Sequence, residues 1–187
     1  MANLLKLYYI TDTYIDYLRK FDKNIYYNKN HTRPYIGVVY TFNNRNYFVP
    51  LSSPKEKHLK MNPKQIDIYK IKNGELGIIN INNMIPVPIE ELTEALSVTK
   101  DKKYKKLLTE QITFINNDRR RLLKKVDNFQ KMYWKGYLDT NVLMRTCNFT
   151  LLQEKCDEWI NEKTCKKWRS CCATTTSFFA RKTNLME

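Results

Sequence analysis

The sequence is poor in several features that would assign a function quickly. No run of apolar residues approaches the ~18 that a membrane span needs, and the opening "MANLLKLYYITDTY" has neither a long apolar run nor a small-residue cleavage site. The expectation is a cytoplasmic protein with no signal peptide and no membrane segment. Only two histidines occur, and neither stands at a spacing from Ser52 or Ser53 that announces a triad, which argues against a serine hydrolase. The five cysteines (Cys147, Cys156, Cys165, Cys171, Cys172) form no CxxC pair and have no histidine nearby. That argues against a zinc site and for free thiols in a reducing compartment, the buried ones simply packing. Glycine is scarce, with four in 187 residues, and acids are outnumbered, 19 against 33 Lys and Arg.

What is present is positive charge and aromatic surface. The formal net charge is +14, and 13 tyrosines contribute to an aromatic content of 13%. Such a charge speaks about partners rather than fold. Nucleic acid is favoured over an anionic membrane, because bases stack on aromatic rings set among basic side chains. The bland alternative is a generally Lys-, Ile-, Asn- and Tyr-rich composition with no meaning for binding.

The chain divides into two halves. "LLKLYYI" reads as a strand. "TDTYIDYLRKF" places Tyr14, Ile15, Leu18 and Phe21 on one helical face behind a Thr11 or Asp12 cap. "NIYYNKNHTRP" is a polar, basic loop. "YIGVVYTF" and "NYFVPL" are strands joined by Asn43-Asn44-Arg45, and "IDIYKIK" and "ELGIINI" flank the hairpin signal Asn73-Gly74. "MIPVP" predicts a last short edge strand. The first half is thus an antiparallel sheet with one inserted helix. In the second half Tyr104, Leu108, Ile112, Ile115, Leu122, Val126, Phe129 and Tyr133 recur at helical spacing, with Arg119 the polar exception. Asn116-Asn117-Asp118 either breaks this stretch in two or merely polarises its outer face. Leu107, Gln111 and Phe114 form a second seam, and Asn148–Ile160 is another amphipathic helix. Residues 1–160 are expected to form one domain. Residues 161–187 form a basic extension, helical to about Lys167 or Ser170 and loosely held beyond, since "CCATTTSFF" disfavours a helix.

The stretch "PLSSPKEKH" (Pro50–His58) follows a strand, yet it lacks the Gly, Asn and Asp of an ordinary turn. It brings together two hydroxyls, a proline, two lysines and a histidine. Ser53 and Lys55 are two apart, so in extended chain they face one side, and Pro54 stiffens the link. These groups suit RNA cleavage by its own 2′-hydroxyl, in which a cation must meet charge growing on the phosphate and a hydroxyl can position an oxygen or relay a proton. Metal-dependent cutting would want clustered carboxylates, and none surround this loop. Read alone, the stretch is more readily an exposed polar loop, with His58 an inert surface residue and Arg119-Arg120-Arg121 a solvated helix face.

Six collinear strings decide between these readings: "YYITDTYIDYLRKFD", "RPYIGVV", "YFVPLSSPK" with its following KH, "LGIININNMIPV", "KKYKKLLTEQITFI" and "CNFTLLQEK". Over about Leu4 to Ile160 the sequence resembles the ToxN/AbiQ family of type III toxin–antitoxin endoribonucleases. The resemblance implies an α+β fold, a compact, twisted, barrel-like antiparallel sheet related to MazF, Kid and CcdB, surrounded by helices. It implies metal-independent cleavage to 2′,3′-cyclic phosphate and 5′-hydroxyl ends, without a cofactor. The implied partners are a small RNA antitoxin of tandem repeats and cellular or phage RNA. The protein alone would be a monomer or weak dimer, with ring-like assembly on the RNA. Carried over, the catalytic motif falls on Ser52, Ser53 and Lys55, with Arg33 as the basic residue before the "YIG" strand. Tyr14, Tyr27, Lys29, Lys57, His58, Gln111 and Phe114 would meet RNA, with Glu110 beside them. Lys57 stands where the family carries an aromatic residue, Tyr27 is the nearest match to a family loop tyrosine, and nothing beyond Ile160 matches. The rival readings are a non-catalytic RNA- or DNA-binding regulator and a basic protein whose tail pairs with an acidic partner.

Overall fold

The computed structural model describes residues 4–28 and 32–179, with side chains described to Cys165. Strand β1 (Lys6–Ile10) leads into helix α1 (Asp12–Arg19). Asp12 in the first turn and Arg19 in the last complement the helix dipole. Tyr14, Ile15 and Leu18 form its buried face, while Phe21 lies past the helix end and is exposed. Strands β2 (Tyr35–Phe42) and β3 (Arg45–Ser52) form the central hairpin. Its turn is only Asn43-Asn44, both at positive φ as a twisted two-residue connection requires, so Arg45 already belongs to β3. After α2 (Glu56–Lys60) come β4 (Ile68–Lys70), β5 (Ile78–Asn80), β6 (Ile85–Pro86), β7 (Leu92–Glu94) and the single turn α3 (Ala95–Val98). Four further helices follow: α4 (Lys102–Asn117), α5 (Arg119–Trp134), α6 (Thr140–Met144) and α7 (Phe149–Phe179).

Among the described residues the strands make one seven-stranded antiparallel sheet, ordered β4-β5-β3-β2-β1-β7. The free edge of β3 is shared: Tyr47 and Phe48 pair with β6, while Leu51 and Ser52 pair with β5. The last turns of β3 therefore leave the main sheet to join the small β4–β5 ribbon. Strand β7, which closes the other edge beside β1, carries no strand pattern in the sequence, so "MIPVP" is not the last strand.

Asn73-Gly74 does not form a two-residue hairpin. The pair Lys70↔Ile78 leaves Ile71 to Gly77 as the connection, with Lys72, Asn73, Gly74 and Gly77 at positive φ. Burial of Ile71 and a hydrogen bond from Gln111 Nε2 to the Leu76 carbonyl (2.7 Å) hold this wider loop, and tertiary packing overrides the local turn signal. Helices α4 and α5 break at Asp118, whose carboxylate accepts from the Tyr69 hydroxyl. The predicted stripe is the core face of both: Leu108, Ile112, Ile115, Leu122, Val126 and Phe129 are buried. Asn116 bonds both the N–H (2.9 Å) and the carbonyl (3.0 Å) of Leu5, tying α4 to the start of β1.

Helix α7 packs through Phe149, Leu152, Cys156 and Trp159, the last in contact with the rings of Tyr14 and Tyr17. Cys147 and Cys156 are buried free thiols and Cys165 is an exposed one. The helix continues to Phe179, past the predicted end near Lys167 or Ser170. No Gly or Pro interrupts it, and adding a residue to an existing helix gains a hydrogen bond at little cost even for threonine. No helix among the described residues is long and apolar enough to cross a membrane.

Candidate active site

Strand β3 delivers the serine motif because its end is held on three sides. Pairing with β5 fixes Leu51 and Ser52, the Pro34 carbonyl accepts from Leu51 N–H (2.9 Å), and Asn80 Nδ2 donates to Ser52 Oγ (3.0 Å). The β4–β5 connection packs directly under the following turn. A Cβ on Gly77 would collide with the Ser52 carbonyl oxygen and lie 3.2 Å from Ser53 C and 3.3 Å from Pro54 N. A Cβ on Gly74 would lie 2.6 Å from the His58 carbonyl oxygen. Two of the four glycines are spent on letting this loop touch the motif backbone. Beyond Lys55 the chain is not loop but the short helix α2, started by a His58 N–H bond to the Lys55 carbonyl (2.9 Å). Lys70 Nζ closes its far end on the carbonyls of Leu59 (2.9 Å) and Met61 (3.1 Å).

A cleft of about 420 Å³ opens beside this turn. Ser52, Lys55, Lys57 and His58 form one wall, and Tyr26 and Arg33 come from the loop before β2. Gln65, Asp67, Asn80, Asn82 and Arg145, with the apolar Met61, Ile68 and Ile78, complete the lining. Arg33 is fastened to the backbone: Nε donates to the Tyr27 carbonyl (2.8 Å) and Nη1 to the Leu51 carbonyl (3.3 Å), with the guanidinium 4.8 Å from the Tyr26 ring centre. It is thus tied to the residue just before Ser52. Four cations (Arg33, Lys55, Lys57, Arg145) line the cleft against one carboxylate, Asp67, which Arg145 already engages (2.7 Å). The field therefore favours anions, and phosphate above all.

His58 differs from the exposed loop histidine that the sequence suggests. It is 1% exposed, and its Nδ1 has no hydrogen-bond partner. Burial first, and then the charges of Lys57, Lys55 and Lys70, push its pKa below the usual histidine value, so the ring is held neutral. The unpartnered Nδ1 is itself buried, so the ring enters the cleft wall as a neutral group. The Tyr26 phenol, raised by burial, stays protonated as a donor.

The remaining sequence-derived candidates divide. Ser53 is exposed on the same turn but does not line the cleft; Ser52 and Lys55 do. Tyr14 has no exposed surface. Its hydroxyl donates to the Pro86 carbonyl (2.8 Å), so it is a core residue rather than an RNA contact. Gln111 is 2% exposed and spends its amide on the Leu76 carbonyl beside Gly77, supporting the site from behind. Phe114 is half-buried against the core and Glu110 is exposed on α4. Tyr27 is exposed outside the cleft with Arg19 3.6 Å over its ring, while its neighbour Tyr26 is the tyrosine inside. Lys29 lies outside the described residues. Tyr26, Gln65, Asp67, Asn80, Asn82 and Arg145 were not legible as site residues. They come from four segments, and only the asparagines of "ININ" hinted that polar side chains were needed there.

A bent antiparallel sheet that turns hydroxyls and cations toward one cleft defines a phosphate-binding architecture. Residues 6–157 match the model for toxin ToxN of type III toxin–antitoxin systems, and the chain belongs to that family. Its relatives include the endoribonuclease ToxN of Bacillus thuringiensis subsp. kurstaki, 34% identical over 82% of this chain and 84% of that one. The endoribonuclease ToxN of Pectobacterium atrosepticum is 30% identical (81% and 91%) and the endoribonuclease AbiQ of Lactococcus lactis subsp. lactis 32% (81% and 87%). Among solved structures, that of AbiQ, a lactococcal anti-phage endoribonuclease of a type III system, superposes with a TM-score of 0.72 at 28% identity, covering 85% of this chain and 99% of that one. A structure describing selective toxin inhibition by a non-coding RNA pseudoknot superposes at 0.70 and 31%, covering 84% and 98%.

Proposed function

We propose that this chain is an endoribonuclease toxin that cuts RNA without a metal ion, using the turn from Ser52 to Lys55 and the cleft beside it. The observation that carries this reading is that turn itself: hydroxyls and a lysine held at the rim of a cationic cleft by backbone pairing, two glycines and Arg33. The donor set suits the phosphate rather than a divalent cation, since Asp67, the one carboxylate among the described lining residues, is already ion-paired. In the proposed reaction the RNA 2′-oxygen attacks the neighbouring phosphorus and gives up its proton, and the bond to the 5′-oxygen breaks. The 5′-oxygen takes up a proton, leaving a 2′,3′-cyclic phosphate and a 5′-hydroxyl. Lys55, Lys57 and Arg33 meet the charge that grows on the non-bridging oxygens. The Ser53 hydroxyl positions an oxygen or relays the proton.

The same cleft takes a repeat RNA antitoxin, processed and then retained, in ring-like assemblies of otherwise monomeric or weakly dimeric protein. Release of the toxin in the cytoplasm on phage infection would cut cellular and phage transcripts. The family likeness supports this partner, as does the neighbour inhibited by an RNA pseudoknot. Removing everything after Cys172 leaves cleavage intact and weakens RNA binding at most modestly. The test is cleavage of an unstructured RNA in excess chelator, with the ends of the products identified. The parent is expected to give cyclic phosphate and 5′-hydroxyl ends, and Ser53→Ala to fold and bind RNA but not cut. A strict need for divalent metal, or an alanine variant that cuts as the parent does, overturns the mechanism.

A further inference from the structure

The turn from Met144 to Thr146, between α6 and α7, is clamped by asparagines from two distant segments. Asn24 Nδ2 donates to the carbonyls of Met144 (3.1 Å) and Thr146 (2.9 Å). Asn82 and Asn83, both nearly fully buried, donate to the Arg145 carbonyl at 2.7 and 3.3 Å. Cys147 N–H returns a bond to the Asn82 carbonyl (2.9 Å), and Thr146 Oγ1 bonds the Val142 carbonyl (2.7 Å). Buried side-chain amides committed to backbone carbonyls fix a turn's geometry, because each bond lost there leaves a group unsatisfied. What this turn presents is one side chain, Arg145, which reaches the cleft lining.

Arg145 is oriented as well as placed. Its Nε donates to Asp67 Oδ2 at 2.7 Å, and the Asp67 side chain is 4% exposed, so the carboxylate is a fixed anchor. The Arg145 side chain is 47% exposed and makes no other ion pair among the described residues. A guanidinium held through Nε keeps the terminal pair of its rigid fork, the geometry that grips two phosphate oxygens at once. Pairing with Asp67 also offsets much of its charge. Such a cation contributes oriented hydrogen bonds to a phosphate already present in the bound substrate, more than it stabilises charge appearing during reaction.

We propose that Arg145 is a second phosphate-binding arm of the cleft, holding an RNA backbone phosphate next to the one served by Lys55. In this arrangement Asp67 and the three asparagines are positioning residues. The inference rests on the ribonuclease reading only for the identity of the polyanion. It makes the cleft a two-phosphate site with arms from the turn before α2 and from the α6–α7 turn, and so sets the path of the strand.

The experiment uses full-length Arg145→Gln and a 2′-O-methyl oligoribonucleotide, which cannot cleave itself. Affinity should fall roughly ten-fold, the scale of one lost charge-assisted contact. The slope of log affinity against log salt should flatten by about 0.7, one single-strand phosphate. In cleavage assays KM should rise while kcat stays within about two-fold. Arg145→Lys should restore part of the affinity. Asn82→Ala, which loosens the turn but keeps the guanidinium, should move KM the same way by less. If Arg145→Gln does not fold, the pair Arg145→Gln with Asp67→Asn removes both charges at similar shape and is read in the same way. A folded variant with parental affinity and salt slope overturns the inference, as does a fall in kcat at unchanged KM. If the parent cuts no RNA but Arg145→Gln still loses oligonucleotide affinity and slope, the arm stands and the ribonuclease reading fails.

Discussion

The glycine cradle under the serine motif yields a graded prediction. Gly77 has φ near +98°, and an added Cβ would overlap the Ser52 carbonyl oxygen and crowd Ser53 C and Pro54 N at 3.2 and 3.3 Å. These neighbours are backbone, held by the β3–β5 pairing, so they cannot swing aside as a flexible side chain could. Gly77→Ala therefore combines backbone strain of ~1–3 kcal/mol with overpacking of ~1–3 kcal/mol, a loss of about 2–6 kcal/mol. Against a typical total of about 5–15 kcal/mol the protein should still fold at low temperature. Relief requires the motif turn to shift on the order of 1 Å, and a misplacement of that size costs on the order of 10²-fold in rate. Gly136→Ala is the matched control. Gly136 also has positive φ, at +69°, but nothing lies within 4 Å of its added Cβ. It should lose only the strain, about 1 kcal/mol, and keep full activity. Urea unfolding gives the stability of each, and single-turnover cleavage of one labelled RNA gives the chemistry. A Gly77→Ala protein that cuts at the parental rate, or that loses no more stability than Gly136→Ala, would refute the view that this loop positions the motif.

Tyr14→Phe should cost about 1–3 kcal/mol, because it strands the buried Pro86 carbonyl, and should leave RNA affinity unchanged. Unchanged stability with weakened RNA binding would return Tyr14 to the RNA surface. The buried, neutral His58 makes stability pH-dependent: its contribution is complete above the ordinary histidine value of about 6.5 and is lost as pH falls through the lowered folded-state value. His58→Gln should therefore flatten the acid limb of urea midpoint against pH, and identical limbs for parent and variant would show that His58 is not held neutral.

The sequence by itself settled what local pattern and covalent chemistry can settle. Alternation and Asn43-Asn44 determine the β2–β3 hairpin, and the 3.6-residue stripe determines α4 and α5. The residue types in "LSSPK" admit a phosphate-handling turn at a strand end, and the family resemblance, not the stretch itself, chose that reading over a plain polar loop. Local signals failed wherever a distant partner outweighed them. Asn73-Gly74 was drawn into a wide loop by the burial of Ile71 and the amide of Gln111. Tyr14 and Gln111 carry polar atoms that suit RNA as well as they suit a buried carbonyl, and only packing decides which they meet. His58 reads as an exposed loop residue until α2 and the β4–β5 connection close over it. Arg145 and Asp67 are 78 residues apart, and no periodicity links them. Their pairing, and with it the second side of the cleft, exists because three asparagines hold the α6–α7 turn where the folded sheet leaves room for it.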